Sequence, residues 1–326
     1  MKKLFKSLCC YIIICLLGGV LLTPSRAEEQ PVNNREKPTE AQKPLDDEIL
    51  KNLKLLKDSD DRTRIGAAFY LRSVRDKRIV PGLTGALNDK NKDVRIEAAA
   101  ALRVIDPEAA FHYLVNTVLN ERNAEIRVLA IGQLQILKTK LAVPVLISAL
   151  RDKNSSVRAA ACEALGTIGD RSAGSDLISR LRDRDAHVRK ASIEALADLK
   201  DNSCIPAVIK RLKDKRTFVR VSAVIALKNL KADQALSRLA KRLADKRFKV
   251  RTEARIALKD LGNESIYPAL TRYLRHRKSY VRYNAAFLLG EFKARSALKE
   301  LKKRLEKEGS DGVKKQIKQA IKKIET

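Results

Sequence analysis

The sequence predicts an all-α chain that forms a right-handed superhelix, an α-solenoid of about nine two-helix repeats. Three observations predict this fold: a composition poor in turn-forming and aromatic residues, an arginine that recurs about every 31 residues, and a helical apolar pattern around each of those arginines. The 326 residues include 13 glycines and nine prolines, and only 4% are aromatic. Such a composition disfavours β-sandwiches and glycine-rich phosphate loops.

The first 27 residues have the pattern of a secretory signal peptide. Three lysines within the first six residues precede an uncharged run over residues 8–22, and small residues stand at Ser25 and Ala27. We expect cleavage after Ala27; an uncleaved membrane anchor and a lipid anchor are the alternatives. The lysines before the apolar run predict that the rest of the chain lies outside the cytoplasm, in the periplasm or secreted.

Residues 28–44 predict a disordered linker between this leader and the repeats. The segment reads EEQPVNNREKPTEAQKP, with three prolines, many charges and almost no apolar side chain. Such a composition does not bury enough apolar surface to fold. Residues 45–326 then form the repeat domain.

Two cysteines remain after the leader, Cys162 and Cys204. An oxidising compartment would allow them to form a disulfide. Cys162 lies in an alanine-rich helical stretch, where a small buried thiol is the favoured interpretation.

One sequence pattern, centred on a basic residue, repeats nine times after Leu45. The arginine that marks it recurs at intervals of 31 or 32 residues, and Lys314 takes its place in the ninth unit. Its positions are Arg64, Arg95, Arg127, Arg158, Arg189, Arg220, Arg251 and Arg282. Ala or Ser stands three residues after each arginine and Leu seven residues after it, so these side chains share one face of a helix.

A second helix precedes this one in each unit and completes a helical hairpin. Pro81, Pro144, Pro206 and Pro268 mark its start, where the missing N–H of proline is tolerated. A hairpin of about 31 residues does not bury its apolar stripe alone, whereas stacked hairpins share one continuous core. The last unit carries the lysine-rich stretch KKQIKQAIKKI, which predicts a polar cap on the end of the stack.

An acidic residue recurs six residues before most of the arginines. These residues are Asp58, Asp89, Asp152, Asp183, Asp214 and Asp245, with Glu121 in the third unit and His276 in the eighth. Acid and arginine repeated together through a stack predict charge-assisted hydrogen bonds between neighbouring repeats. We interpret this series as structural.

The order Leu-x-Asp, Val-Arg, Ala-x-x-Ala-Leu resembles the HEAT repeat, and most closely its short variety, the PBS-lyase HEAT-like repeat. The resemblance covers about residues 46–326 and implies an α-solenoid. Such repeats occur in lyases, hydroxylases, adaptors and scaffolds, so the resemblance implies no single activity.

The sequence contains no recognisable catalytic, cofactor-binding or metal-binding motif. Its histidines, His112, His187 and His276, stand in different units, and none belongs to the His-Glu pairs of the di-iron hydroxylases that share this fold. No small-molecule substrate is evident, and we expect a protein that is not an enzyme and needs no cofactor. The alternative is an enzyme or accessory factor of bilin-lyase type, which an export signal disfavours.

Positive charge is concentrated in the second half of the chain. Residues 28–180 contain 25 basic and 22 acidic side chains, whereas residues 181–326 contain 39 and 17. The excess lies at the turns after the first helices, which predicts a ridge of stacked cations that focuses positive potential. We call these six residues the basic ridge: Lys215, Arg216, Lys246, Arg247, Arg277 and Lys278.

Three interpretations of the basic ridge follow from its charge. It is a solvated face without a partner, a docking surface for an acidic protein partner, or a site for a polyanion such as an anionic envelope polymer or lipid. Export makes nucleic acid the least favoured of these anions. The sequence thus favours an exported, non-catalytic scaffold that binds a protein partner.

Overall fold

The computed structural model describes residues 45–326, so the predicted signal peptide and linker lie outside the described residues. Within 45–326 the chain forms 18 α-helices and no strand, and these helices make one compact unit. Each repeat consists of an odd-numbered helix and the even-numbered helix that follows it. The predicted α-solenoid of nine two-helix repeats is confirmed.

The first helices of the repeats are mostly short. They are α1 Asp47–Leu55, α3 Val80–Ala86, α5 Pro107–Asn120, α7 Val143–Ala149, α9 Gly174–Arg180, α11 Ile205–Arg211, α13 Leu236–Ala240, α15 Tyr267–Tyr273 and α17 Leu298–Lys307. Pro81, Pro144, Pro206 and Pro268 lie in the first turn of their helices, where an N–H would have no helical partner.

The second helices carry the arginine pattern and are longer. They are α2 Asp61–Leu71, α4 Lys92–Ile105, α6 Ala124–Leu137, α8 Ser155–Ile168, α10 Ala186–Asp198, α12 Thr217–Asn229, α14 Phe248–Leu261, α16 Ser279–Glu291 and α18 Asp311–Glu325. Their inner face is the stripe that the sequence predicts. For example, Ala161 and Leu165, three and seven residues after Arg158, are fully buried.

The buried stripes of successive repeats form one core that extends from Leu56 to Ile324. Ser192 takes the place of the small apolar residue in the fifth repeat, and its hydroxyl donates a hydrogen bond of 2.6 Å to the carbonyl of Leu177. Because that bond satisfies the hydroxyl, the polar residue is tolerated in the core.

Two glycines allow neighbouring second helices to approach closely. Gly166 on α8 faces Ala195 on α10, and Gly290 on α16 faces Ala320 on α18. A Cβ atom on these glycines would lie 2.8 and 2.7 Å from the Cα atoms of the two alanines. Both glycines stand eight residues after their repeat's arginine, so the same register produces both contacts.

The last helix closes the stack. α18 buries Val313, Ile317, Ala320 and Ile324 against the preceding repeat, while most of its lysines are exposed. This is the polar cap that the lysine-rich sequence predicts. None of the helices in residues 45–326 combines the length and apolarity that crossing a membrane requires.

Candidate protein-interaction surface

A series of ion pairs links neighbouring repeats. At six of the eight boundaries the repeat's arginine donates two hydrogen bonds, from Nε and Nη2, to a carboxylate of the next repeat, over 2.6–3.0 Å. The pairs are Arg64–Asp89, Arg127–Asp152, Arg158–Asp183, Arg189–Asp214, Arg220–Asp245 and Arg282–Glu308. We call this series the arginine ladder. Its arginines reach forward to the turn of the following repeat.

The third guanidinium nitrogen, Nη1, donates hydrogen bonds to the turn of the arginine's own repeat. In all eight repeats Nη1 donates to the backbone carbonyls six and five residues earlier, as Arg158 does to Asp152 and Lys153 over 2.9 and 3.2 Å. The carboxylates in turn accept the backbone N–H two residues later. The guanidinium is thus oriented by backbone and carboxylate together.

Burial and hydrogen bonding act in opposite directions on the ladder carboxyls. Burial disfavours ionisation of Asp183, Asp214 and Asp245, but hydrogen bonds from the ladder arginine and from a backbone N–H outweigh it and keep the pKa of each below its usual value. Burial also opposes ionisation of Glu308, but hydrogen bonds from Arg282, from the backbone N–H of Ser310 and from Arg304 outweigh it and lower the pKa of Glu308 to about 2. These acids are ionised in the folded protein at neutral pH.

Three predicted ladder positions depart from the pattern. Asp58 belongs to the first repeat, so no ladder arginine precedes it, and its carboxylate keeps only the bond from the backbone N–H two residues later, that of Asp60. Arg95 makes a single contact of 3.5 Å with Glu121. At the boundary after Arg251 the position of the ladder acid is occupied by His276, and Arg251 forms no ion pair within residues 45–326. The expected pairing between repeats therefore does not occur at Asp58 or Arg251.

The turns of repeats 5 to 7 lie side by side and form adjoining grooves. A groove of about 890 Å³ separates the turn at residues 182–187 from the turn at residues 213–218. A second groove, of about 480 Å³, separates residues 213–215 from residues 244–246. Lys213, Asp214 and Lys215 line both grooves, so the turns of repeats 5 to 7 are neighbours, and the ridge residues Lys215 and Lys246 line the same groove.

A third groove adjoins these two on the first-helix side. It measures about 510 Å³, and Pro206, Ile209 and Leu212 form its apolar lining. The rest of its lining is mainly basic, namely Lys210, Lys213, Arg238, Lys241 and Arg242. Apolar contact is thus available beside the positive charge.

The ridge cations have no acidic partners within the repeats. The Nη1 atoms of Arg211 and Arg242 lie 3.6 and 3.5 Å from Oδ2 of the ladder acids Asp214 and Asp245. Those two acids are therefore paired with arginines that do not belong to the basic ridge. None of the six ridge residues forms an ion pair within residues 45–326. Their charge is therefore available to a partner.

The ridge also occupies the N-cap positions of three second helices. In repeats 1 to 5 the N-cap is Asp or Asn, and its side chain accepts a backbone N–H of the first turn; these residues are Asp60, Asn91, Asn123, Asn154 and Asp185. In repeats 6 to 8 the N-caps are Arg216, Arg247 and Lys278, which make no such bond. Arg and Lys lack an acceptor, and a cation at a helix N-terminus opposes the helix dipole. The basic N-caps therefore cost local stability.

The three histidines lie apart, as their spacing predicts. The His187 ring stacks on Phe218 with centroids 5.0 Å apart, and His112 and His276 contact Phe111 and Tyr273 edge to face. Among residues 45–326, no three His, Cys, Asp or Glu side chains are grouped as metal ligands. Cys162 and Cys204 are free and buried, and burial raises the pKa of their thiols to about 12 and about 11.

Comparison with known proteins identifies the repeat. The family described as HEAT repeats matches four overlapping segments, residues 49–122, 113–196, 174–259 and 247–322, which together span most of the chain. The chain belongs to the HEAT-repeat family. No curated protein sequence matches it.

Among solved structures, YibA shows the same fold as this HEAT-repeat protein. YibA of Escherichia coli is 24% identical with a TM-score of 0.51, over 82% of this chain and 98% of YibA. An engineered protein is 20% identical with a TM-score of 0.43, over 86% of this chain and 99% of that one. Human deoxyhypusine hydroxylase in complex with glycerol is 22% identical with a TM-score of 0.36, over 76% and 96% of the two chains.

Sequence reasoning found the cations of this HEAT-repeat protein but missed their position at the helix N-caps. The signal was present four residues before each ladder arginine, where Asp or Asn gives way to Arg or Lys after the fifth repeat. Glu308 was also missed as a ladder acid, although it stands six residues before Lys314 as the other acids stand before their arginines.

Proposed function

We propose that this HEAT-repeat protein is an exported, non-catalytic scaffold that docks an acidic protein partner on the basic ridge. The run of three basic N-caps carries the proposal, because Arg216, Arg247 and Lys278 replace residues that would cap their helices better. Sequence choices that oppose local stability are expected at functional positions. The ridge is also continuous with grooves that offer both charge and apolar contact.

A docking role explains these residues better than a solvated face does. A turn needs polar residues only for solubility, and the Asn and Asp caps of repeats 1 to 5 meet that need while also capping the helix. The side chains of these three successive cations form no ion pair within residues 45–326, and their mutual repulsion opposes the folded state. An acidic partner would relieve that repulsion on binding.

The test is capture of proteins from the envelope fraction of the source cells, with wild type and with a variant in which all six ridge residues are changed to Glu. The bound proteins are identified, and the binding of each is remeasured with purified material. We expect one or more acidic proteins to bind the wild type, with affinity that falls steeply as salt rises, since five of the six ridge residues are exposed. The reversed variant should lose this binding and keep its helical circular dichroism.

Two smaller variants make a matched comparison. Changing Lys215, Lys246 and Arg277 to Glu alters the net charge as much as changing Lys315, Lys318 and Lys322 on α18, which are also exposed. The first variant should lose binding and the second should keep most of it. Equal losses would show a response to net charge alone and would contradict the docking surface. Binding of anionic vesicles but of no protein would replace the protein partner by a polyanion.

Export is tested separately. Cell fractionation and N-terminal sequencing of the purified protein should place the chain outside the cytoplasm with Glu28 as its first residue. A cytoplasmic protein that retains residues 1–27 would contradict export.

A further inference from the structure

Arg251 is the one ladder arginine whose carboxylate-binding edge has no acidic partner among residues 45–326. Its Nη1 donates to the carbonyls of Asp245 and Lys246 over 2.9 and 3.1 Å, as the equivalent nitrogen does in the other repeats. These bonds hold the guanidinium in the ladder orientation. In this part of the chain, Nε and Nη2, which bind an acid at six other boundaries, have no hydrogen-bond acceptor.

His276 accounts for this difference. Its Nδ1 accepts the backbone N–H of Lys278 over 3.1 Å, so it keeps the turn-holding role of a ladder acid. An imidazole has no carboxylate to offer to Arg251. The hydrogen bond within the turn of repeat 8 is therefore kept, whereas the bond between Arg251 of repeat 7 and a carboxylate of repeat 8 is missing.

The surroundings of Arg251 suit an incoming anion. The guanidinium carbon lies 4.0 Å from the ring centroid of Tyr280, and Lys278 Nζ lies 5.5 Å from the same centroid. Arg251 is half-buried and thus open to solvent, unlike its buried counterparts Arg158 and Arg220. A guanidinium that is fixed on two carbonyls and a ring face loses little conformational freedom when it binds a planar carboxylate.

We propose that Arg251 binds a carboxylate side chain of the acidic partner, which completes the ladder between repeats 7 and 8. This inference rests on the proposed function and names the anchor of the same surface, because Arg251 is bonded to the turn that carries Lys246 and Arg247. Nε and Nη2 would donate to the two carboxylate oxygens, as they do in the Arg220–Asp245 pair. Lys278 would add a second cation beside the bound acid.

The test supplies the missing acid from within the chain. His276→Asp should pair with Arg251, raise the urea midpoint of unfolding, and weaken binding of a fluorescein-labelled decaglutamate peptide by about tenfold, the usual range for one charge-assisted bond. His276→Asn is the neutral control: it keeps an acceptor for the turn but supplies no carboxylate, so peptide affinity should stay within about twofold of wild type. Arg251→Lys keeps the charge, loses the two-pronged geometry, and should weaken binding like His276→Asp.

Ser279→Asp controls for charge, since it introduces the same negative charge three residues further along the exposed surface. The assignment is overturned if Ser279→Asp weakens binding as much as His276→Asp, if His276→Asp leaves binding unchanged, or if it fails to raise stability. Competition by inorganic phosphate but not by free glutamate would also overturn it, in favour of a phosphate ligand.

The result separates the two proposals. If the sixfold ridge reversal abolishes peptide binding and His276→Asp leaves it unchanged, the ridge proposal stands and the role of Arg251 is wrong. If the ridge reversal itself leaves binding unchanged, the proposed function fails whatever Arg251 does.

Discussion

Replacing the three basic N-caps by asparagine is expected to stabilise the protein while weakening its interaction with an acidic partner. The triple variant is Arg216→Asn, Arg247→Asn and Lys278→Asn. Each asparagine would accept a backbone N–H of its helix, as Asn91, Asn123 and Asn154 do over 2.8–2.9 Å.

The magnitude follows from the three helix ends. A good N-cap contributes about 1 kcal/mol, and removing a cation from the positive end of the helix dipole contributes about 0.3–1 kcal/mol more. Equivalent positions in neighbouring repeats lie about 10 Å apart, so the three effects should add. The triple variant should therefore be about 4–6 kcal/mol more stable towards urea.

The matched control removes the same charge one residue earlier. Lys215→Asn, Lys246→Asn and Arg277→Asn relieve the same repulsion but place no acceptor at an N-cap, so each should change the free energy of unfolding by no more than about 0.5 kcal/mol. Urea unfolding followed by circular dichroism compares the two variants, and equal stabilities would refute the capping argument. Both variants should bind the acidic partner more weakly, and undiminished binding by the stabilised variant would refute the link between basic caps and docking.

Four further predictions concern the ladder, the packing, the carboxyls and the thiols. Arg158→Ala removes both hydrogen bonds of the ladder arginine from the buried Asp183 and leaves it the longer ion pair with Arg180, over 3.7 Å, so it should cost about 3 kcal/mol. Lys215→Ala should change urea stability by less than about 0.5 kcal/mol, and similar losses for the two variants would contradict a stabilising ladder. Gly166→Ala and Gly290→Ala should each destabilise by about 1–3 kcal/mol through their clashes with the next helix, while Gly132→Ala, whose added Cβ would meet no atom within 4 Å, should be neutral or stabilising in the same urea assay. The pKa of Glu308 falls from 4.5 to about 2 on folding, so ionised Glu308 contributes about 3 kcal/mol to the free energy of unfolding above pH 4.5, and this contribution is lost as the pH falls towards 2. Acid unfolding curves of wild type and Glu308→Gln should differ between pH 4.5 and 2, and identical curves would contradict the assignment. Because burial raises the pKa of Cys162 and Cys204 to about 12 and about 11, both thiols should resist Ellman's reagent in the folded protein and react in urea; one fast-reacting thiol in the native state would contradict their burial.

The sequence by itself determined the helical hairpin, its period and the residues of its buried stripe. These follow from local rules, because a helix of 3.6 residues per turn places side chains three and seven residues after Arg158 on one face whatever lies beyond it. The same periodicity located the arginines, the acids and the basic turns. The N-cap change after Asp185 was also readable, since capping depends on residues within one turn of the helix.

Only the tertiary structure decided which groups meet. Asp152 lies six residues before Arg158, yet the carboxylate of Asp152 binds Arg127 of the preceding repeat and only its carbonyl accepts from Arg158. That choice depends on the offset between stacked hairpins, which no local pattern encodes. The offset of 25 residues that joins Arg127 to Asp152 leads from Arg251 to His276, where no acid stands, and Lys213 and Lys215 line two grooves. The sequence predicted that acids and arginines bond between repeats. Which acid each arginine binds depends on packing across about 25 residues of chain, so that choice became visible only when the repeats were stacked.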